Sequence, residues 1–197
     1  MYEYRKLNPE QQQKLIEERL QKGYPRHSPP HLIENQPFYL LTAACYEHQH
    51  RLHNVTRRQQ LFQELSEVLI QEEIEIIAWV ILPNHYHILT STVDFEWLGK
   101  QLRLIHGRTA RQWNLEDQVK GKLWCCYSDR AIRNDQHYYQ VINYIHYNPV
   151  KHGFTDSPYS WENSSVHRYL EEKGRDWLRN CWVEYPVRDY GQKWDIC

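Results

Sequence analysis

Two hydrophobic rhythms alternate along this chain, and the points where one gives way to the other mark its elements. Residues 38–46 (FYLLTAACY) form an apolar, β-favouring run that predicts a buried strand. Leu61, Leu65, Val68 and Leu69 then recur at helical spacing, behind Asn54 or Thr56, either of which can cap the helix. Residues 74–82 are nearly continuous in apolar side chains, the pattern of a strand covered on both faces, and predict a central position. Pro83-Asn84 makes a short turn into a further strand that runs to about Thr92. Residues 95–113 carry Leu98, Leu102, Ile105, Thr109 and Trp113 on one side, which predicts a second amphipathic helix. Residues 121–127 read as another short strand. Residues 136–148 read as a third helix, stopped by Pro149 because the residue before a proline avoids the helical region. This order predicts an α+β fold, most economically a ferredoxin-like βαββαβ-type antiparallel sheet with helices on one face.

The flanks read differently. Asn8-Pro9-Glu10 opens an N-terminal helix, with asparagine as cap and proline at its first position, and Gly23 closes it. Leu15, Ile16 and Leu20 give that helix a thin apolar stripe. Tyr24-Pro25-Arg26-His27-Ser28-Pro29-Pro30 is a linker. Three segments follow: an N-terminal helix and Pro-rich linker over 1–36, a compact domain over 37–165, and a Trp-rich C-terminal extension over 166–197. From Ser157 onward the chain carries Trp161, Trp177, Trp182 and Trp194, a composition suited to packing around the domain.

Composition narrows the class. With 197 residues, 41% of them hydrophobic, the chain can bury a core. The opening Met1-Tyr2-Glu3-Tyr4-Arg5-Lys6 lacks a secretory apolar stretch, and the run from Ile76 to Leu82 is too short to span a bilayer. Cys45, Cys125, Cys126, Cys181 and Cys197 form neither a CxxC pair nor an evident disulfide framework. Adjacent Cys125 and Cys126 read as small buried hydrophobes. A reduced, cytoplasmic protein with no membrane partner is expected. The net charge of −1 argues against a nucleic-acid partner. Its distribution does not, because Lys100, Arg103, Arg108, Arg111, Lys120, Lys122, Arg130 and Arg133 crowd a stretch whose acids are Glu116, Asp117 and Asp129. A local basic face and a solvated helix face both fit this pattern.

Two motifs carry chemistry. His85-Tyr86-His87 opens a strand, and residues i and i+2 of a strand point to the same face. Both imidazoles can therefore address one metal ion, or they can be an ordinary hydrogen-bonded pair. On the third helix Tyr144 and Asn148 lie four apart, one above the other. A phenol and an amide oxygen facing two histidines would set a nucleophile beside a metal site. A tyrosine packed on the sheet is the alternative, and convergence in the fold decides between them.

Three ordered segments, Pro83-Asn84-His85-Tyr86-His87-Ile88-Leu89, Leu123-Trp124 with Tyr127-Ser128-Asp129-Arg130-Ala131-Ile132-Arg133, and Tyr144-Ile145-His146-Tyr147-Asn148-Pro149-Val150-Lys151-His152-Gly153, resemble the REP-associated tyrosine transposases, relatives of the single-tyrosine HUH transposases. The resemblance spans residues 38–165 and ends on Trp161-Glu162-Asn163-Ser164-Ser165. It implies a bacterial, nucleoid-associated enzyme that cleaves and rejoins single-stranded hairpin DNA through a 5′-phosphotyrosine, working as a monomer or homodimer. By that resemblance His85 and His87 are the metal pair, Tyr144 the nucleophile and Asn148 a polar third ligand. Lys100, Arg103, Arg108, Arg111, Arg130 and Arg133 are the candidate DNA contacts. Tyr147 and Tyr127 are the rival nucleophiles. His146 and Lys151 are near Tyr144 in sequence, although His146 should project away from it. Mg²⁺ or Mn²⁺ is the expected ion, since imidazole suits manganese better than magnesium while the resemblance implies magnesium. Two further readings stay open: a catalytically inactive nucleic-acid-binding regulator, and a metal-dependent phosphodiesterase that uses water. Retention of both histidines, the tyrosine and the amide argues against the regulator.

Overall fold

The computed structural model describes residues 37–91 and 94–191, together with Asn8, Glu10, Gln11, Lys14 and Glu17. Residues 1–34 and 35–196 form separate units. In the first, Glu10, Gln11, Lys14 and Glu17 are helical, and Asn8 and Gln11 cap one another: Gln11 N donates to Asn8 Oδ1 at 2.8 Å and Asn8 N to Gln11 Oε1 at 3.1 Å. This reciprocal pairing satisfies two backbone donors that a helix start otherwise leaves open. Gly23, the Pro-rich linker and the stripe of Leu15, Ile16 and Leu20 lie outside the described residues, as does Trp194.

The main unit runs β1 (Phe38–Ala44), α1 (Val55–Gln71), β2 (Ile76–Ile81), β3 (His85–Ser91), α2 (Phe95–Glu116), β4 (Ser128–Ala131), α3 (Asp135–Lys151), α4 (Val166–Lys173) and α5 (Arg175–Glu184). It is an α+β fold built on a four-stranded antiparallel sheet in the order β2-β3-β1-β4. Side chains alternate between its faces. Leu41, Ala43, Tyr86 and Ile88 pack against Leu61, Leu65 and Leu69 of α1 and Leu98, Leu102, Ile105 and Trp113 of α2. Leu40, Val80 and Leu89 pack against Val141, Tyr144 and Ile145 of α3 and against Val166 and Leu178. The two crossover helices share one face, but the expectation that the helices lie on one face does not hold, because the third helix buries an apolar stripe of its own against the other. The third helix and the C-terminal helices cover the other, so both faces of the sheet are clad.

Asparagine and aspartate caps set the helix starts. Asn54 accepts from Thr56 N, Asp94 from Glu96 N and Trp97 N, and Asn134 from His137 N. Several further expectations are corrected. β2 is an edge strand; its apolar run reflects helices on both faces and an outer edge taken up by residues 163–165, where Ile81 N donates to Asn163 O and Ser165 N to Trp79 O. The fourth strand is Ser128–Ala131, whereas residues 121–127 supply one bridge, Trp124 to Cys45. Helix α3 does not stop before Pro149 but continues to Lys151. Burial of Asn148 and Pro149 outweighs the local preference, and the helix ends at Gly153, at φ 71°, where Gly153 N bonds Val150 O and Phe154 N bonds Pro149 O. Of the adjacent cysteines, Cys125 is half-buried and Cys126 exposed, so only the first approaches the expected buried role.

Arg57, buried on α1, bonds Glu116 at 2.8 Å and Asp117 at 2.6 Å, tying α1 to the end of α2. His106 of α2 stacks on Trp124, with centroids 4.5 Å apart, and meets the Tyr86 hydroxyl at 3.0 Å. Burial lowers the pKa of His106 from 6.5 to about 4. The unfolded chain takes up this proton near pH 6.5 while the folded one resists, so the stability it provides is full above pH 6.5 and is lost as pH falls towards 4. The loss is at most ~1.4 kcal/mol per pH unit for this one group. Urea midpoints measured between pH 7.5 and 4.5 should fall less steeply for His106→Phe than for the parent; parallel slopes would contradict this account.

Candidate active site

The covered face of β3 carries both histidines. His85 is 2% exposed and His87 fully buried, with ring centroids 4.9 Å apart. Cross-strand register sets Thr42 of β1 opposite His87, and Thr42 Oγ1 lies 2.7 Å from His87 Nδ1. On the far side of that ring, His87 Nε2 lies 3.1 Å from the Tyr144 hydroxyl. With Nδ1–H donating to Thr42, Nε2 is left to accept the Tyr144 O–H. Strand and helix therefore converge within one chain.

His85 is held by a different pair. Its Nδ1 is 2.8 Å from Asn84 Oδ1 and its Nε2 is 3.1 Å from Asn148 Oδ1. Asn84 Nδ2 points at His48 O, 3.4 Å away, which fixes the oxygen of that amide towards the imidazole. Nδ1–H of a neutral His85 then donates to Asn84, and Nε2 presents a lone pair to the Asn148 oxygen. Two acceptors face each other, while Asn148 Nδ2 is buried without a hydrogen-bond partner. A cation between the acceptors would resolve this conflict; without one, the Asn148 amide resolves it by turning over to donate through Nδ2. Adjacent donors of an octahedral ion at ~2.1 Å stand about 3.0 Å apart, close to the observed separation. Among the described residues no three His, Cys, Asp or Glu side chains converge on a metal position. The oxygen of Asn148 stands beside the His85 imidazole, and a donor set of two imidazoles and an amide oxygen suits an ion.

Charge and cover surround the phenol. Lys151 Nζ lies 4.9 Å from the centroid of the Tyr144 ring, and Arg130 of β4 is within electrostatic reach of Tyr144 and Tyr190. Tyr190 packs edge-on to Tyr144 at 5.3 Å, and a Cβ on Gly191 would come within 2.5 Å of the Tyr144 ring. Tyr144 is fully buried, with Tyr190 and Gly191 among the residues that cover its ring.

The rivals are elsewhere. Tyr147 is 44% exposed and turned outward. Tyr127 packs with the α1 and α2 cluster on the opposite face, where burial raises its pKa to about 12. His146 projects away from Tyr144, as expected: its Nε2 meets Ser165 Oγ at 3.0 Å, and burial lowers its pKa to about 3. The basic residues divide. Lys100, Arg103, Arg108 and Arg111 ride on α2, across the sheet from Tyr144. Lys100 is bonded to Glu96 and Arg108 to Glu64. Arg133 is exposed just beyond β4, and Arg130 alone of the six has a described interaction with Tyr144. Sequence reasoning assigned no role to Thr42, Asn84, Tyr190 or Gly191. Asn84, adjacent to the first histidine, had a local signal; Thr42 needed the strand register.

No protein-family model matches the chain. It is 32% identical over 114 residues to the REP-associated tyrosine transposase of Escherichia coli K12, an alignment covering 57% of this chain and 67% of that one. A second relative, from Haemophilus influenzae and provisionally given the same name, is 29% identical over 119 residues, covering 54% and 68%. Among solved structures, a REP-associated tyrosine transposase bound to a REP hairpin superposes with a TM-score of 0.59 at 26% identity, over 75% of this chain and 88% of that one. Fold and relatives together define a tyrosine transposase. Within that class, the chain belongs to the REP-associated tyrosine transposases.

Proposed function

We propose that this protein cuts and rejoins single-stranded DNA beside a hairpin, forming a covalent link between Tyr144 and a 5′-phosphate. The observation that carries this reading is the convergence at the site: Tyr144 Oη 3.1 Å from His87 Nε2, and Asn148 Oδ1 3.1 Å from His85 Nε2. A phosphodiester resists attack because its oxygens repel a nucleophile. A divalent ion held by His85, His87 and Asn148, taking the His87 Nε2 lone pair in place of the Tyr144 O–H, would draw charge from those oxygens as they become more negative. The Tyr144 oxygen attacks phosphorus and gives its proton up to solvent, while the bond to the 3′-oxygen breaks and that oxygen takes up a proton from solvent to become a 3′-hydroxyl. Because the phosphate stays esterified to the protein, a 3′-hydroxyl can reverse the step and reseal the strand without water or ATP.

Other side chains prepare this step. Thr42 and Asn84 fix the rings of His87 and His85, so that one nitrogen of each faces the reaction centre. Arg130 and Lys151 add positive charge around the phenol, which suits an incoming phosphate. Arg103 and Arg111, across the sheet, are left to longer-range DNA contacts. The known hairpin complex of a relative supports a REP-like foldback as substrate. Since tyrosine and histidines meet in one chain, a monomer completes its own site. Mn²⁺ should support the reaction at least as well as Mg²⁺, given the imidazoles. The place of action is the bacterial cytoplasm, on nucleoid DNA; among the described residues no helix is long and apolar enough to cross a membrane.

The test is incubation of a labelled single-stranded hairpin with protein and Mn²⁺, followed by denaturing electrophoresis. A DNA–protein adduct that vanishes with a chelator is expected. Cleaved DNA with no adduct would favour water as nucleophile, and bound but uncut DNA the regulator. Thr42→Val should raise the Mn²⁺ concentration for half-maximal activity by roughly 10- to 100-fold, the usual effect of losing a partner that orients a ligand; an unchanged metal requirement would remove Thr42 from the site.

A further inference from the structure

Helix α3 meets the sheet on two sides. Tyr144 and Asn148 point towards β3, at His87 and His85. His146 stands two positions from each, and a helix that advances ~100° per residue places it nearly opposite them. Its Nε2 meets Ser165 Oγ at 3.0 Å, and its ring packs edge-on to Tyr169 at 4.9 Å. His146 and Ser165 are at most 1% exposed, and His146 Nδ1 has no hydrogen-bond partner, so the ring's hydrogen bond is the one to Ser165. Ser165 is itself clipped to the outer edge of β2. Its Oγ accepts from Trp79 N at 2.9 Å, and its N donates to Trp79 O at 2.9 Å. Ser164 bridges Val80 beside it, and the Tyr169 hydroxyl donates to Ile77 O at 3.1 Å. On its other side β2 pairs with β3, with Val80 opposite His87. A continuous set of hydrogen bonds thus runs from His146 through Ser165 and β2 to the strand that carries the histidines.

That connection supplies what the apolar stripe of α3 does not. Burial of Val141, Ile142 and Ile145 holds the helix down, but apolar attraction is non-directional and fixes its rotation less sharply. A buried hydrogen bond selects one arrangement. Rotation matters, since a side chain reaching ~6 Å from the helix axis moves about 1 Å for each ~10° of turn. We propose that the His146–Ser165 contact is a rotational pin that sets Tyr144 and Asn148 against the histidine pair, making His146 and Ser165 positioning residues for strand cleavage. The proposal rests on the cleavage reading above and deepens it. In that reading the Tyr144–His87 hydrogen bond is given up when His87 serves as a ligand. The pin lies on the opposite side of the helix and is retained through the step. Asn143 does not replace it: its Nδ2 bonds Cys181 O and Tyr185 O at 2.8 Å each, tying α3 to the end of α5 and not to the sheet.

Single-turnover adduct formation on the labelled hairpin, with saturating Mn²⁺ and well below the unfolding midpoint, tests the pin. His146→Phe keeps a ring and loses the bond, and Ser165→Ala removes the hydroxyl. Each should form the adduct roughly 10- to 100-fold more slowly, the effect of a misplacement of about 1 Å, while hairpin affinity is unchanged. His146→Gln, whose amide nitrogen can stand where Nε2 does, should recover most of the rate. Val166→Ala trims the same buried cluster without touching the bond, and should lower the midpoint but keep the parental rate. A second readout needs neither metal nor DNA: the nuclear magnetic resonance signal of Tyr144 in tyrosine-labelled protein, assigned by its loss in Tyr144→Phe. It should move in His146→Phe and Ser165→Ala and return in His146→Gln. Should His146→Phe fail to fold, Ser165→Ala decides. Parental rates in both variants, an equal slowing by Val166→Ala, or His146→Gln no faster than His146→Phe overturns the pin and leaves the cleavage reading intact. If the parent forms no adduct, the cleavage reading fails and the Tyr144 signal decides the pin: moved in the variants it upholds it, unmoved it overturns it.

Discussion

Tyr144→Phe is expected to bind hairpin DNA as the parent does and to form no covalent adduct. The substitution removes one oxygen, and that oxygen is the proposed nucleophile. Deleting a nucleophile costs a hydrolytic enzyme on the order of 10⁶-fold, which here means an adduct below detection. Binding should persist because the ring continues to pack against His87 and Tyr190, at centroid distances of 5.0 and 5.3 Å. Stability should change by no more than ~1 kcal/mol, since the hydroxyl gives one buried hydrogen bond to His87. Tyr147→Phe, altering a ring that is 44% exposed, is the control that should leave adduct formation intact. An adduct in Tyr144→Phe would move the chemistry to another residue.

The second large effect concerns the ion. His85→Ala and His87→Ala should abolish cleavage at any practical Mn²⁺ concentration, because each would remove one of the three proposed ligands. Asn148→Ala should be milder, restoring some activity at high Mn²⁺, since an amide oxygen is the weakest donor of the set. Isothermal titration with Mn²⁺ reads the affinity directly. Full Mn²⁺ affinity in either histidine variant would detach these residues from the metal.

How much of this was legible beforehand depends on whether the signal was local. The i, i+2 spacing of His85 and His87 and the i, i+4 spacing of Tyr144 and Asn148 are properties of one strand and one helix, so the sequence places each pair on a face. The buried stripe of α2 was readable for the same reason, residue by residue. Which strand flanks which is not local. The apolar run of β2 reports burial on two faces, and sequence alone could not tell a central strand from an edge covered by residues 163–165. Likewise Thr42 is one threonine in an apolar run until antiparallel register sets it against His87. The basic residues illustrate the converse. Lys100, Arg103, Arg108 and Arg111 form a basic group in sequence, yet α2 carries them across the sheet from Tyr144, where Glu64 and Glu96 take up two of the four. Pro149 shows a backbone preference yielding to burial.

The central claim is that one phenol does the chemistry, and identifying the residue that holds the DNA tests it most directly. After reaction with a flanked hairpin and Mn²⁺, the adduct is digested with nuclease and protease and the peptides are sequenced by mass spectrometry. The account predicts a nucleotide-phosphate mass on Tyr144, in the peptide that continues through Asn148. The same mass on Tyr147 or Tyr127, or on no tyrosine at all, would contradict it.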